Sequence, residues 1–162
     1  MKILQIYNNI PEMLKPCIDS VKRYAKREGA EYIVHDENPK GFQYKSTWAD
    51  LIRLQYAAEN KDLWYFDWDI FLDESFTSRI KDPVFFYRTP EACFYTGNDL
   101  SLFKKWLSAY QDMIDERGSN QIKRGTLYHI VKHDRNSMKN FVKVKHLEYH
   151  RNNNSERMEV KK

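Results

Sequence analysis

The most apolar stretch of the chain is residues 63–72, Leu-Trp-Tyr-Phe-Asp-Trp-Asp-Ile-Phe-Leu. A continuous apolar run of this length between two charged clusters is typical of a strand that is buried on both faces of a sheet. Two carboxylates, those of Asp67 and Asp69, stand in its second half. Because the side chains of a strand alternate between faces, these two would project together, with Trp68 opposite. The sequence therefore predicts a buried strand over 63–72 that presents a pair of carboxylates.

The aspartate pair has two interpretations. Burial of an unpaired carboxylate is costly, so a buried pair is normally compensated by a cation or by hydrogen-bond donors. At the C-terminal end of a strand in an α/β sheet, such a pair can hold a divalent cation, and the cation can bind a diphosphate. Alternatively, the strand ends at Phe66 and the aspartates begin a loop. The short motif alone does not decide between them.

Length and composition indicate one domain. A chain of 162 residues with 41% hydrophobic residues can build a single core. We predict that this domain spans residues 1–150 and that residues 151–162, rich in Asn and charge, form a disordered polar tail. The net charge of +4 permits an acidic ligand such as a sugar nucleotide, or weak contact with nucleic acid.

Cysteine usage and hydropathy favour a cytoplasmic location. Cys17 and Cys93 show no metal-ligand spacing, so we expect reduced thiols. The apolar stretch at residues 3–7 is too short for a signal peptide or an anchor, and no later segment is long enough to span a membrane.

Strand-like and helix-like patterns alternate along the chain, which is typical of an α/β fold. The predicted strands are 2–7, 31–35, 63–72, 83–87, 92–95 and 141–149, and the predicted helices are 14–29, 46–60, 99–116 and 126–131. Ser46 and Thr47 provide an expected N-cap. Tyr7 and Asn8 end the first strand, at the edge where open α/β sheets bind ligands. In the last strand, His146 and His150 would share the face of Val142 and Val144.

The second helix carries Asp50 and Arg53, which are three residues apart and therefore neighbours on one face. Taken alone, the pair is best interpreted as an exposed ion pair worth a few tenths of a kcal/mol. The chain has only five glycines and lacks both the dinucleotide-binding fingerprint and the P-loop.

Together, these two segments resemble the GT-A-fold glycosyltransferases with a DXD motif. The likeness is to the sugar-binding-region family, which includes capsular and mannosyl transferases, and to the catalytic domains of large glucosylating toxins. Residues 48–56 are similar to the family's Ser-Asp-x-x-Arg helix, and residues 63–72 to its Tyr-x-Asp-x-Asp strand. Asn60-Lys61-Asp62 replaces the Gly-Gly that usually precedes this strand. The resemblance implies a small GT-A-like three-layer α/β/α sandwich with a mixed sheet.

The resemblance also implies a set of site residues. Asp50 and Arg53 would contact the donor sugar, and Asp67 would serve both sugar and metal. Asp69 and His150 would complete the binding of Mn²⁺ or Mg²⁺ on the donor diphosphate, with His146 a weaker candidate than His150. With Tyr7 and Asn8 from the first strand, these residues form the expected catalytic, donor-binding and metal-binding set.

The expected activity is metal-dependent transfer of a sugar from a nucleotide diphosphate donor, with UDP as the expected nucleotide, to an unidentified glycan, protein or nucleic acid. The resemblance favours retention of configuration. One alternative is an inactive nucleotide-sugar-binding domain of the same fold. Another is association with nucleic acid, including a glycosyltransferase that modifies it, through the basic residues Lys132, His133, Arg135, Lys139, Lys143 and Lys145.

Overall fold

The structure, a computed structural model, describes residues 1–37, 40–76, 81–86, 89–146, 148–151 and 158–161, with side chains as far as residue 144. The helices are α1 (Lys15–Glu28), α2 (Lys45–Glu59), α3 (Ser101–Arg117) and α4 (Thr126–His133). The strands are β1 (Lys2–Ile6), β2 (Glu31–His35), β3 (Leu63–Phe66), β4 (Ile70–Phe71), β5 (Val84–Phe86), β6 (Cys93–Tyr95), β7 (Asn140–Val142), β8 (Lys145–His146), β9 (Glu148–Arg151) and β10 (Met158–Lys161).

Six strands form one mixed sheet in the order β2-β1-β3-β6-β5-β7. Strand β1 is parallel to β2 and β3, whereas β6 is antiparallel to both β3 and β5. The C-terminal ends of β1, β2 and β3 consequently meet at one edge of the sheet. Strands β5 and β6, which lie within the predicted strands 83–87 and 92–95, thus extend the sheet with antiparallel pairing.

The sheet lies between two helical layers, as predicted. Leu63 and Tyr65 of β3 belong to the cluster that includes Leu54 of α2 and Trp106 of α3. Their neighbours Trp64 and Phe66 belong to the opposite cluster, which contains Val21 and Tyr24 of α1. All four residues of β3 are buried. The α/β/α sandwich with a mixed sheet is therefore confirmed, and β3 is its central, fully enclosed strand.

The predicted strand over 63–72 is wrong in its second half, because β3 ends at Phe66. Residues 67–69, hereafter the Asp-Trp-Asp turn, reverse the chain, and the Ile70 amide donates to the Asp67 carbonyl oxygen at 3.1 Å. The alternative interpretation, that the aspartates follow the strand, is the correct one. The turn holds the carboxylates at the edge of the sheet, so they need not be buried between two apolar layers.

The residues at the two ends of α1 are typical of helix termini, whereas the N-cap predicted for α2 is wrong. Pro16 lies in the first turn of α1, and Gly29 ends the helix with a left-handed φ of 62°. Helix α2 starts earlier than predicted, and its N-cap is Tyr44. Thr47 is not the cap, because its hydroxyl donates to the Tyr44 carbonyl oxygen at 2.9 Å.

The predicted last strand, 141–149, is wrong as a single element. Its residues contribute to three separate pairings: β7 with β5, β8 with β4, and β9 with β10. The alternation that placed His150 on the face of Val142 fails, because it holds only within one strand. Strands β9 and β10 pair in the region where the sequence predicts a disordered tail. Residues 152–157 lie outside the described residues, so the boundary at residue 150 stays a prediction.

Cys17 and Cys93 are both buried thiols. Within the described part of the chain, every helix is too short or too polar to cross a membrane.

Candidate functional site

A cleft of about 450 Å³ opens where β1 and β3 end and α2 begins. Four of the predicted site residues line it: Tyr7, Asn8, Arg53 and Asp67. This clustering follows from topology, because the C-terminal ends of parallel neighbouring strands meet at one edge. The cleft also contains side chains that the sequence analysis did not assign to a site, namely Lys45 and Trp48 from α2 and Tyr65 and Trp68 from the β3 region.

Arg53 is the centre of a buried polar network beneath this cleft. Its Nη2 lies 3.1 Å from Asp50 Oδ1, and its Nη1 lies 3.3 Å from Asp67 Oδ1. Nη1 also donates to the Glu91 carbonyl oxygen at 2.7 Å. The Arg53 side chain is only 8% exposed. The predicted ion pair between Asp50 and Arg53 is therefore present, but the prediction that it is exposed is wrong. The guanidinium connects α2, the end of β3 and the turn before β6.

Tyr65 completes the network. Its ring centre lies 4.7 Å from the Arg53 guanidinium carbon, in cation–π geometry, and its hydroxyl donates to Asp67 Oδ1. Burial is the main cause that raises the pKa of the Tyr65 hydroxyl well above its usual range. The hydroxyl therefore stays protonated and serves as a donor. A hydrogen bond from Tyr65 and an ion pair with Arg53 consequently hold Asp67 Oδ1, and together they fix the carboxylate at the base of the cleft.

The buried network shifts the pKa values of Asp50 and Arg53 for different reasons. Burial raises the pKa of Asp50 to about 6, although the Arg53 cation opposes the shift. Burial lowers the pKa of Arg53, but the carboxylates of Asp67 and Asp50 and the Tyr65 hydroxyl outweigh it, so the net shift is upward. Arg53 is thus a permanent cation, and Asp50 is the member of the network that changes charge near neutral pH.

The backbone of the Asp-Trp-Asp turn is anchored on both sides. The Asp67 amide donates to the Ala92 carbonyl oxygen at 2.8 Å, which extends the pairing of β3 and β6 beyond the strand end. Gln5, which is 0% exposed, donates to the Asp67 carbonyl oxygen at 3.4 Å and accepts from the Tyr32 hydroxyl at 2.6 Å. The turn is therefore positioned by two neighbouring strands.

The other predicted site residues are not among the described residues that line the first cleft. Asp50 is buried behind Arg53 and does not line the cleft. Asp69 belongs to the same turn as Asp67, with its Oδ1 buried, and does not line the cleft either. His146 pairs through its backbone with Ile70, next to the turn. The side chains of His146 and His150 lie outside the described residues, so their proposed ligand roles stay predictions.

Among the side chains that the structure describes, no group of three His, Cys, Asp or Glu comes together as a metal site. The residues nonetheless fit a cation that shares its ligands with a substrate. Asp67 and Asp69 supply hard carboxylate oxygens from a single turn, and Mg²⁺ is commonly bound by one or two carboxylates together with phosphates and water. We therefore regard Asp67 and Asp69 as the groups of the described chain that would hold such an ion.

Two signals could have located the residues that sequence reasoning missed. Lys45 begins the helix that carries Asp50 and Arg53, so it lies at the ligand-binding edge of the sheet. Tyr65 stands two residues before Asp67, hence on the same face of the strand predicted over 63–72. The Glu91 carbonyl could not be found from sequence, because backbone acceptors leave no pattern in residue type.

A second cleft of about 480 Å³ adjoins the first. The two share Tyr7, Asn8 and Asn9, and the second is bounded further by Lys15, Asp19 and Lys22 of α1 and by Asp36 after β2. The edge of the sheet thus provides two adjacent concave regions on either side of the segment that follows β1.

No family model matches the sequence, and no curated protein is significantly similar to it. Among solved structures, the chain is similar to a glycosyltransferase involved in glycosylation of the major capsid of PBCV-1. That match has a TM-score of 0.52 and 14% identity, and covers 88% of this chain and 82% of the other. A Drosophila β1,4-galactosyltransferase 7 mutant, in complex with manganese, UDP-Gal and xylobiose, matches with a TM-score of 0.30 and 13% identity over 62% of this chain and 47% of the other. The first likeness, with the mixed sheet and the two helical layers, shows that the chain has a GT-A-like fold.

Proposed function

We propose that the protein is a metal-dependent glycosyltransferase that uses a nucleotide diphosphate sugar, with UDP as the expected nucleotide. The observation that carries the proposal is the position of Asp67. This carboxylate lies at the C-terminal edge of the central strand, faces a cleft and is fixed by Arg53 and Tyr65. An acceptor-only group held in this way suits recognition of sugar hydroxyls or of a cation.

The two adjoining clefts support a ligand with two parts. A nucleotide sugar has a nucleoside and a sugar at opposite ends of a diphosphate. Clefts of about 450 and 480 Å³ that meet at Tyr7, Asn8 and Asn9 provide room for both ends. In this arrangement Tyr7 and Asn8 contact the middle of the donor, and Asp67 lies on the sugar side.

The charged side chains have different proposed roles. Arg53 positions Asp67, because the cation is already committed to two carboxylates and a carbonyl. Lys45, whose Nζ lies 3.4 Å from Asn8 Oδ1, is the exposed cation that reaches a departing diphosphate. Asp67 and Asp69 would hold a Mg²⁺ or Mn²⁺ ion, which would supply Lewis-acid stabilisation of the charge on that leaving group. Retention of configuration rests on the family resemblance alone.

A thermal-shift screen tests the proposal, with UDP- and GDP-sugars in the presence of Mn²⁺ or of EDTA. A ligand at a hundred times its dissociation constant stabilises the native state by about 2.7 kcal/mol. We expect such stabilisation only with metal, together with slow release of nucleotide by hydrolysis. Stabilisation without any release would instead identify a nucleotide-sugar-binding domain. If no nucleotide sugar stabilises the protein with metal, the proposal is wrong.

A further inference from the structure

Positive charge in this chain is concentrated in one segment outside the cleft. Residues 123–144, hereafter the basic segment, contain six of the 27 basic residues and one of the 23 acidic residues, a net of +5 in a chain whose total is +4. The remaining 140 residues therefore carry −1 in sum. The basic side chains of the segment are all exposed: Lys123, Arg124, Lys132, Arg135, Lys139 and Lys143. Its one carboxylate, that of Asp134, is paired with Lys105 at 2.6 Å.

Exposed aromatic residues occur between the basic residues of this segment. Tyr128 is 38% exposed and Phe141 is 41% exposed. In the described part of the chain, only Val34 joins them as an exposed large apolar side chain. Both exposed aromatic rings thus occur within the basic segment, whereas the other rings of its neighbourhood, such as Trp106, pack in the core. Cations alternating with exposed rings form the surface that binds single-stranded nucleic acid, through phosphates and stacked bases.

Helix α4 shows how the segment presents these groups. Leu127 and Val131 face the core, and Tyr128, His129, Lys132 and His133 occupy the exposed face at helical spacing. A helix that inserts into a lipid surface needs a broad apolar exposed face. Here the exposed face carries one ring among a lysine and two histidines, so it suits a polar, charged partner better than a membrane.

The basic segment begins beside the candidate site. The Arg124 guanidinium carbon lies 4.6 Å from the ring centre of Tyr44, which is the N-cap of α2. The next two residues of that helix, Lys45 and Ser46, line the first cleft. From this point the chain continues through α4 to the edge strand β7, in which Phe141 is exposed, and Lys143, also exposed, follows directly. The N-terminal end of the basic segment therefore lies next to the start of α2, which lines the first cleft.

We propose that the basic segment binds single-stranded nucleic acid, with Lys132, Lys139 and their neighbours contacting phosphates and with Tyr128 and Phe141 stacking on bases. The binding is independent of turnover in the cleft. It can therefore be measured on the full chain without a sugar donor, and its outcome is separate from that of the proposed transferase activity.

Fluorescence anisotropy with a labelled oligothymidylate tests the proposal. We expect the logarithm of the association constant to fall with the logarithm of salt concentration with a slope of about −2 or steeper, as for three or more neutralised phosphates. The double variant Lys132→Glu, Lys139→Glu should bind at least about tenfold more weakly and show a shallower slope. A matched control is Arg23→Glu, Lys26→Glu, which makes the same change in net charge on exposed positions of α1, on the other side of the sheet. This control should change affinity by less than about threefold, because salt screens the long-range effect of the charges on α1.

A second variant separates stacking from charge. Tyr128→Ser removes an exposed ring and no charge, so it should weaken binding by about tenfold while leaving the salt slope unchanged. Equal weakening by the α1 control, or unaltered affinity in Tyr128→Ser, would overturn the proposal. Binding of heparin as tightly as of the oligonucleotide would also overturn it, because heparin offers charge without bases. Thermal unfolding of each variant near the wild-type temperature establishes that the fold is intact.

Discussion

Arg53 and Asp67 form a buried ion pair, with Nη1 3.3 Å from Oδ1 and side chains that are 8% and 22% exposed. The pair joins a helix to the end of the central strand, and the same Nη1 donates to the Glu91 carbonyl oxygen. Only a planar, forked cation can satisfy these acceptors while it also lies over the Tyr65 ring.

Arg53→Lys should therefore lower the free energy of unfolding by about 1–3 kcal/mol, because lysine leaves buried acceptors without donors. It should also reduce donor binding, since the position of Asp67 is no longer fixed. Urea titration measures the first effect and calorimetry with UDP and Mn²⁺ the second. Arg23→Lys, at an exposed position of α1, is the matched control and should change neither. Wild-type behaviour of Arg53→Lys would mean that the network has no role in stability or binding.

Asp50 should make stability depend on pH. Its pKa in the folded state is about 6, against an ordinary value of 3.8, because burial disfavours the anion. The native state thus holds a proton that the unfolded chain releases, so stability from this group is greatest at low pH and falls as pH rises through 6. Relative to Asp50→Asn, the wild type should lose unfolding free energy on the order of 1 kcal/mol between pH 5 and pH 7.5.

The comparison of wild type and Asp50→Asn at several pH values isolates this one group. Asp112→Asn, an exposed position on α3, should show no pH-dependent difference from the wild type. A constant difference between wild type and Asp50→Asn across this range would show that Asp50 keeps an ordinary pKa.

Asp69→Asn should abolish metal-dependent binding of the donor and leave the fold intact, because it removes a charged ligand with almost no change in volume. Calorimetry with UDP in Mn²⁺ and in EDTA provides the measurement, and Asp112→Asn again serves as the control. Unchanged affinity for UDP with Mn²⁺ would remove Asp69 from the proposed metal ligands.

His150→Ala should weaken Mn²⁺-dependent donor binding, and His146→Ala should do so less. Binding through a histidine should also weaken as pH falls through about 6.5, since a protonated ring cannot coordinate a cation. The pH profile of UDP affinity in wild type and in the two variants measures this. A profile that is the same in all three proteins would exclude both histidines as ligands.

Residue pattern was sufficient for the main fold and insufficient at two places. Strand β3 and the helices on either side were predictable because long apolar periodicity marks buried elements, and Leu63 to Phe66 are indeed enclosed on both faces. The position at which β3 ends was not predictable, since Ile70 and Phe71 continue the apolar run after the chain has turned. The C-terminal strands failed for a related reason: alternation across residues 141–149 does not reveal that consecutive pieces pair with different partners.

The candidate site was predicted in its residue types and only partly in its arrangement. Tyr7, Asn8, Arg53 and Asp67 meet in one cleft because parallel topology brings strand ends together. The burial of Asp50 was not predictable, since an Asp and an Arg three residues apart look the same in sequence on an exposed and on a buried helix face.

The backbone hydrogen bonds of Asp67 should slow the exchange of its amide proton. Its amide donates to Ala92, and its carbonyl oxygen accepts from Gln5 and from the Ile70 amide. Breaking the bonds to Ala92 and Gln5 requires separation of the end of β3 from the neighbouring segments, so we expect the Asp67 amide proton to exchange with solvent only through openings nearly as costly as global unfolding. The proposed binding carboxylate is thus attached to one of the slowest-exchanging parts of the chain. If the cleft opens and closes, we expect the movement in the segments that face the turn and not in the turn itself.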